Sequence, residues 1–242
     1  MIKVLILIPT FNEAESIADL LSRLQKVRLD NANKYDIDIL IIDDGSPDDT
    51  VKIVRSLNLA KVNVLQRNKK NGLGPAYLAG FSEGLRSNYQ FFVEMDADLS
   101  HQPEELPALL DKAGDRKFVI GTRWMPGGSV VNWPKKRQLI SKLGTRYAAF
   151  ALKLPFRDLT SGYRVISRSF LESINFSDIE TRGYGFQIEM AIKANRNGFE
   201  ITEVPIKFVE RENGVSKMSF AIVWEAWAMV TLWGFKRLFN RR

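Results

Sequence analysis

The chain has 242 residues, 45% hydrophobic and 26% charged, enough to bury a sizeable core without covalent staples. It has no cysteine and one histidine, His101, which excludes disulfides, thiolate metal centres, cysteine nucleophiles and multi-histidine zinc sites. The formal charge is +7, and the excess lies in one stretch: between Asp115 and Asp158 there is no acid, but ten bases and the rings of Trp124, Trp133 and Tyr147. Such a block suits phosphate, an anionic membrane or nucleic acid.

The opening MIKVLILIPTFNEAE reads as a buried strand, because its apolar run over 4–8 is too short for a secretory leader and Pro9 and acids follow it. Residues 13–28 put Ile17, Leu20, Leu21, Leu24 and Val27 at helical spacing. A second apolar run, 37–42, ends at Asp43-Asp44-Gly45-Ser46, and Ser46 or Asp48 is placed to cap a helix over 48–58. A third strand follows at 62–65. Residues 72–86 read as a helix carrying Ala76, Gly80 and Gly84. A fourth strand, 91–95, leads into Asp96-Ala97-Asp98, and a fifth covers 117–121. Residues 136–153 form a basic amphipathic helix. Strands at 163–166 and 201–209 flank a helix near 184–197.

This order predicts an α/β fold, a mostly parallel sheet flanked by helices. Ligands of such sheets bind outside the carboxyl ends of the strands. Pro9 to Glu13, Asp43 and Asp44, Asp96 and Asp98, and Arg123 all fall at those ends. Asp96 and Asp98, one residue apart in a turn, can approach one hard divalent cation such as Mg²⁺ or Mn²⁺. Asp44 can accept hydrogen bonds from a base or ribose, while Glu13 also suits the first turn of a helix. His101 could cap the helix after Pro103 or contact ligand, and the structural reading is favoured.

Seven stretches in order carry a resemblance. They are Pro9-Thr10-Phe11-Asn12-Glu13, Ile42 to Asp48, Asp96 to Ser100, Gly121-Thr122-Arg123-Trp124, Asn132 to Arg137, Thr160 to Arg164, and Phe208 to Arg211 through Ser216-Lys217. The first three resemble the inverting family-2 glycosyltransferases of GT-A fold. The last four narrow this to the dolichol-phosphate mannose synthases and their prokaryotic polyprenol-phosphate relatives, over residues 3–217. The resemblance implies mannose transfer from GDP-mannose to a polyprenyl phosphate. It implies a nucleotide pocket of Pro9, Phe11, Glu13, Ile42 and Asp44. It places Asp96, Ala97 and Asp98 at the diphosphate, and Asp96, Asp98 and Ser100 at the metal. Asp98 and Arg123 would be catalytic, Arg123, Arg137 and Ser141 would hold phosphates, and Arg211 and Lys217 would close over the donor. Ser100 stands where archaeal relatives can carry glutamine, and Phe11 where tyrosine is frequent. A polyprenyl phosphate is already anionic, so its oxygen can attack without a general base. The protein then has to position two anions and offset their repulsion.

The organisation implied is a domain over 1–217 and a C-terminal amphipathic interfacial helix with a basic tail over 218–242. Residues 220–235 hold one acid, Glu225, and are too short to span a bilayer. Trp224, Trp227 and Trp233 favour its interface, and Lys236, Arg237, Arg241 and Arg242 follow. The expectation is a peripheral protein at the cytoplasmic membrane face, alone or with a membrane-anchoring subunit, and with no nucleic-acid partner. Two rival readings are a polyprenyl-phosphate glucosyltransferase using UDP-glucose and a basic nucleic-acid- or membrane-binding protein. Salt-sensitive binding without sugar transfer would mark the latter.

Overall fold

Continuous apolar runs form the strands at the centre of this protein, as strands buried on both faces require. The computed structural model describes residues 1–154, 156–181, 183, 185–210 and 228–235. The strands are β1 (Ile2–Thr10), β2 (Tyr35–Asp43), β3 (Val62–Gln66), β4 (Phe91–Glu94), β5 (Lys117–Thr122), β6 (Ser129–Val131), β7 (Arg164–Ser167), β8 (Glu200–Pro205) and β9 (Lys207–Val209). The helices are α1 (Ile17–Asp30), α2 (Thr50–Ser56), α3 (Leu73–Leu85), α4 (Leu106–Leu110), α5 (Lys135–Leu152), α6 (Arg168–Glu172) and α7 (Gly185–Arg196).

Seven strands make the main sheet in the order β3-β2-β1-β4-β7-β5-β8. All neighbours run parallel except β7, which is antiparallel to both β4 and β5. Successive residues of β1 point to opposite faces. Val4, Ile6 and Ile8 join the core under α1 and α4, while Leu5 and Leu7 join the core under α3, α6 and α7. A third cluster docks α5 through Ala148 and Leu152 onto Ile188, Ala191 and Ile192 of α7, with Val230 of the helical segment 228–235. The Tyr147 and Thr231 hydroxyls, 2.6 Å apart, tie that segment to α5.

Most predicted elements are present, and the differences have local causes. The helix expected over 48–58 is α2, shorter at both ends. Ser46 does not cap it. The Ser46 hydroxyl accepts from the Asn12 amide at 3.0 Å, and Asp48 accepts from the Thr50 amide at 3.1 Å. The strand expected over 201–209 is two strands in two sheets, because the chain steps off the main sheet at Ile206. There the Ile206 amide donates to the Thr122 carbonyl, and Ser129 donates back to Ile206. β9 then pairs with β6. Of the expected C-terminal interfacial helix, only 228–235 is described, and it is helical. Arg211, Lys217, Trp224, Trp227 and the basic tail lie outside the described residues.

Small residues let α3 lie close on the sheet. A Cβ on Gly80 would come within 2.5 Å of Ile42 Cδ1, and one on Gly84 within 2.5 Å of Phe92 Cε1 and 2.6 Å of Leu5 Cδ2. Gly84→Val is therefore expected to lower stability by about 2 kcal/mol through overpacking. Urea denaturation should show a lower midpoint at unchanged slope.

Candidate active site

The carboxyl ends of β1, β2 and β3 meet around two aspartates with different tasks. Asp43 is structural. Its carboxylate accepts from the Thr10 hydroxyl (3.0 Å), the Gly45 and Ser46 amides (3.1 and 3.0 Å) and the Ser46 hydroxyl (2.5 Å), which binds the first two strand ends together. Asp44 is turned to Arg67, whose Nη1 is 2.8 Å from Oδ1, and the Asn71 amide lies 3.4 Å from Oδ2. Burial raises the Asp44 pKa above the usual carboxylate range, and Arg67 opposes that shift. Arg67 arrives here because its amide donates to the Asp43 carbonyl at 2.8 Å, prolonging the pairing of β2 with β3. Beside them the Lys70 ammonium sits 4.2 Å from the centroid of the Phe11 ring. Pro9 pairs opposite Ile42, one position before the last pair, Thr10 with Asp43. The Ile42 side chain lies in the core under α3, so this position faces the rim with backbone only. The Glu13 amide donates to the Thr50 hydroxyl, and its carbonyl accepts from Ser16 and Ile17 ahead of α1.

The end of β4 carries the paired carboxylates. Ala97 is buried in the core, which leaves Asp96 and Asp98 half-buried on the rim. Leu99 adopts a left-handed backbone (φ 62°), uncommon for a branched side chain, and this reverses the chain so that Ser100 is buried. The Ser100 amide donates to Asp98 Oδ1 at 3.1 Å. Its hydroxyl is buried and has no hydrogen-bond partner among the described residues. His101 accepts the Asp96 amide proton at Nδ1 (3.2 Å), stacks on Tyr163 at 5.0 Å and meets the edge of Phe208 at 5.5 Å. Burial lowers its pKa, so the ring is neutral and carries its proton on Nε2. His101 therefore anchors the aspartate turn and caps no helix.

Two carboxylates and one buried, unpartnered hydroxyl make an all-oxygen donor set that fits Mg²⁺ or Mn²⁺. Among the described residues no group of three or more His, Asp or Glu side chains could hold a metal by itself. A cation bound here would draw further oxygens from phosphate or water, the habit of Mg²⁺ in nucleotide sites.

The third part of the rim follows β5. Arg123 is 7% exposed and grips the fully buried Asp158, Nε to Oδ2 and Nη2 to Oδ1, both at 2.7 Å. Its Nη2 also donates to the Thr160 hydroxyl at 2.9 Å. Trp133 lies between two guanidinium groups, Arg123 at 5.4 Å and Arg137 at 4.0 Å from its ring centroid. Arg137 pairs with Glu210. Ser141 lies half-buried one turn further along α5. Arg164 fixes the turn that presents Asp158 and Thr160, donating to the carbonyls of Leu159 and Ser161 (both 2.9 Å) and Gln187 (2.7 Å).

The structure thus gathers the predicted rim residues into one edge, from Phe11 and Asp44 through Asp96 and Asp98 to Arg123 and Arg137. Sequence reasoning missed Arg67, Lys70 and Asp158. Arg67 had a signal, a base directly after β3 beside the aspartates that end β2. Asp158 also had one, since it is the acid that closes the acid-free block.

Residues 5–174 match the description Glycosyl transferase family 2. The chain belongs to this family. It is 44% identical over 243 residues, 99% of this chain and 89% of its relative, to the polyprenol monophosphomannose synthase of Mycolicibacterium smegmatis. It is 47% identical over 234 residues, 96% of this chain and 94% of its relative, to the undecaprenyl-phosphate mannosyltransferase of Micrococcus luteus. Among solved structures, glucosyl-3-phosphoglycerate synthase from Mycobacterium tuberculosis with Mn²⁺, uridine diphosphate and phosphoglyceric acid superposes with a TM-score of 0.73. That match covers 96% of this chain and 78% of the other at 18% identity, and it shows the shared GT-A fold.

Breaking the buried pair has a defined cost. Asp158→Ala would leave Arg123 buried without its counter-charge, at about 3–5 kcal/mol. Urea titration of the purified variant measures this, and an unchanged midpoint would deny Asp158 its structural role.

Proposed function

We propose that this protein transfers mannose from GDP-mannose to a polyprenyl phosphate, inverting the anomeric centre. The observation that carries this reading is the rim itself: an oxygen-only pair, Asp96 and Asp98, between the Asp44 pocket and the basic wall of Arg123 and Arg137. Relatives 44% and 47% identical over nearly the whole chain, named for mannose transfer to polyprenol or undecaprenyl phosphate, support it.

On this reading Asp44 accepts hydrogen bonds from the nucleoside and Phe11 covers it. Asp96 and Asp98, with the Ser100 hydroxyl beside them, hold a divalent cation. When bound, that cation offsets the charge that grows on the departing nucleoside diphosphate. The acceptor phosphate oxygen attacks the anomeric carbon as the bond from that carbon to the diphosphate oxygen breaks. No proton has to leave the nucleophile, so no base is needed. His101, buried and already accepting a backbone proton at Nδ1, is not placed to be one. Arg123 is held rigid by Asp158 and so acts as a preorganised positive wall rather than a mobile clamp.

The same reading needs contact with a bilayer. Among the described residues no helix is long and apolar enough to cross a membrane. α5 instead exposes Leu139, Ile140, Leu143 and Phe150, the last 84% exposed, and segment 228–235 adds Leu232 and Phe235. These residues recur at helical spacing along α5, flanked by its bases, the pattern of a helix lying in the lipid–water interface.

The decisive assay is transfer of labelled sugar to farnesyl phosphate in detergent, comparing GDP-mannose with UDP-glucose. Asp98→Ala, or chelation of the divalent cation, should lower turnover by on the order of 10²–10³-fold. Product from UDP-glucose alone would overturn the donor, and metal-independent product would overturn the role of Asp96 and Asp98. For the membrane face, Leu143→Asp with Phe150→Asp should abolish sedimentation with anionic vesicles. Retained sedimentation would remove α5 from the interface.

A further inference from the structure

Six residues other than glycine hold a positive φ among the described residues. Three are asparagines, Asn12, Asn58 and Asn132, and two are lysines, Lys61 and Lys153. The sixth is Leu99, whose branched side chain makes the left-handed backbone costly. Strain of this kind persists only where its surroundings enforce it, and it collects at functional sites. Leu99 stands between Asp98 and Ser100, two of the three residues of the all-oxygen donor set. Two contacts enforce its conformation. Its side chain packs against the core under α1 and α4. Its carbonyl accepts a hydrogen bond from Gln102 Nε2 at 2.9 Å.

Gln102 suits that bond in a way that side chains of similar length do not. On its other side, Oε1 accepts from Arg23 Nη2 of α1 at 2.8 Å. A carbonyl only accepts and a guanidinium only donates, so the group between them has to donate at one atom and accept at the other. An amide does both, whereas a carboxylate only accepts and a thioether donates nothing. Arg23 is itself fixed by Glu104, Nε to Oε1 at 2.9 Å. The Gln102 carbonyl accepts from the Tyr163 hydroxyl at 3.3 Å, and the Ser100 carbonyl accepts from the Val209 amide at 3.1 Å. Groups from α1, from the residue before β7 and from β9 thus hold the far side of the turn, and the Gln102 side chain carries that hold to the strained residue.

We propose that Gln102 is a positioning residue of the metal site: its amide, aligned by Arg23, holds the Leu99 carbonyl, keeps Leu99 left-handed and so sets Asp98 and Ser100 for a divalent cation. This rests on the reading of Asp96, Asp98 and Ser100 as cation ligands. Without the bond, Leu99 would relax toward negative φ. That rotation would swing its carbonyl away from Gln102 and turn the Ser100 amide off Asp98 Oδ1, which it meets at 3.1 Å. Gln102 touches neither substrate nor cation on this account, and its effect reaches the chemistry through metal affinity.

The test is Mn²⁺ uptake by the full-length protein, followed by loss of the free-ion electron paramagnetic resonance signal, beside amide hydrogen exchange over residues 96–101. Gln102→Met should weaken Mn²⁺ binding roughly tenfold, as the loss of a group that orients metal ligands does elsewhere. Gln102→Glu keeps an acceptor for Arg23 but has no donor for Leu99, and should lose as much. Leu99→Gly in the Gln102→Met background should recover most of the affinity, because glycine adopts the left-handed backbone without strain. Exchange over 96–101 should quicken in both Gln102 variants. GDP binding without metal, measured by calorimetry, should not change, which shows that they fold. In the transfer assay excess Mn²⁺ should restore the rate of Gln102→Met, and the acceptor KM should stay constant. Native Mn²⁺ affinity in Gln102→Glu would reduce Gln102 to a strut between α1 and the turn and overturn the proposal. A loss in Gln102→Met that Leu99→Gly does not repair would overturn it too. No Mn²⁺ uptake by the native protein, with quickened exchange in both Gln102 variants, would defeat the metal reading and uphold the hold of Gln102 on the turn.

Discussion

The buried ion pair between Arg123 and Asp158 is the constraint around which the basic half of the rim is arranged. It closes two bonds of 2.7 Å and a third, from the Arg123 amide, of 3.1 Å, all onto one fully buried carboxylate. A pair withdrawn from water gains stability only when its geometry is this complete, because the desolvation of both charges has to be offset. What the pair secures is position. It pins the end of β5 to the 158–161 turn, and Arg123 then presents its guanidinium to Trp124, Trp133 and Phe208 at 5.2–5.7 Å.

The rim as a whole separates charge by task. Its acids lie at the ends of β2 and β4, and its bases, Arg123 and Arg137, lie after β5; on the proposed reaction the first would face a cation and a sugar nucleotide, the second another anion. Bringing two anions together is the main electrostatic obstacle to this class of reaction. A fixed arrangement of opposite charges offsets it without reorganising during the chemical step. A single histidine is no handicap to such a mechanism, and here that histidine holds a backbone turn in place.

How much of this could be read in the sequence depends on how local the signal was. β1, β2 and β4 were legible because strands covered on both faces are unbroken apolar runs. The aspartates of the rim were legible because each lies at the end of such a run. β7 was found, but its direction was not, since a short apolar run carries no polarity. β9 was merged with β8 although Pro205 stands at the step between them, because the step itself is a tertiary event in which Ile206 donates to the Thr122 carbonyl and accepts from the Ser129 amide. Arg123 and Arg137 were recognised as bases, whereas their engagement by Asp158 and Glu210 depends on pairing across 35 and 73 residues. The cavity lined by α5, the turn after Arg123 and Phe156–Arg157 was invisible, because these segments line one space only when α5 folds back over the turn after β5.

The reversed strand β7 has a consequence for how such a molecule can change. Because it runs against its neighbours, it begins at the edge where β5 ends, and the Gly121 amide bonds the Tyr163 carbonyl at 2.8 Å. Everything between these two residues, including Trp124, Trp133, α5 and Asp158, is therefore one excursion clasped at its base. The aspartates at the ends of β2 and β4 lie outside it. Lineages sharing this sheet could rewrite that excursion while the ends of β1, β2 and β4 stay as they are.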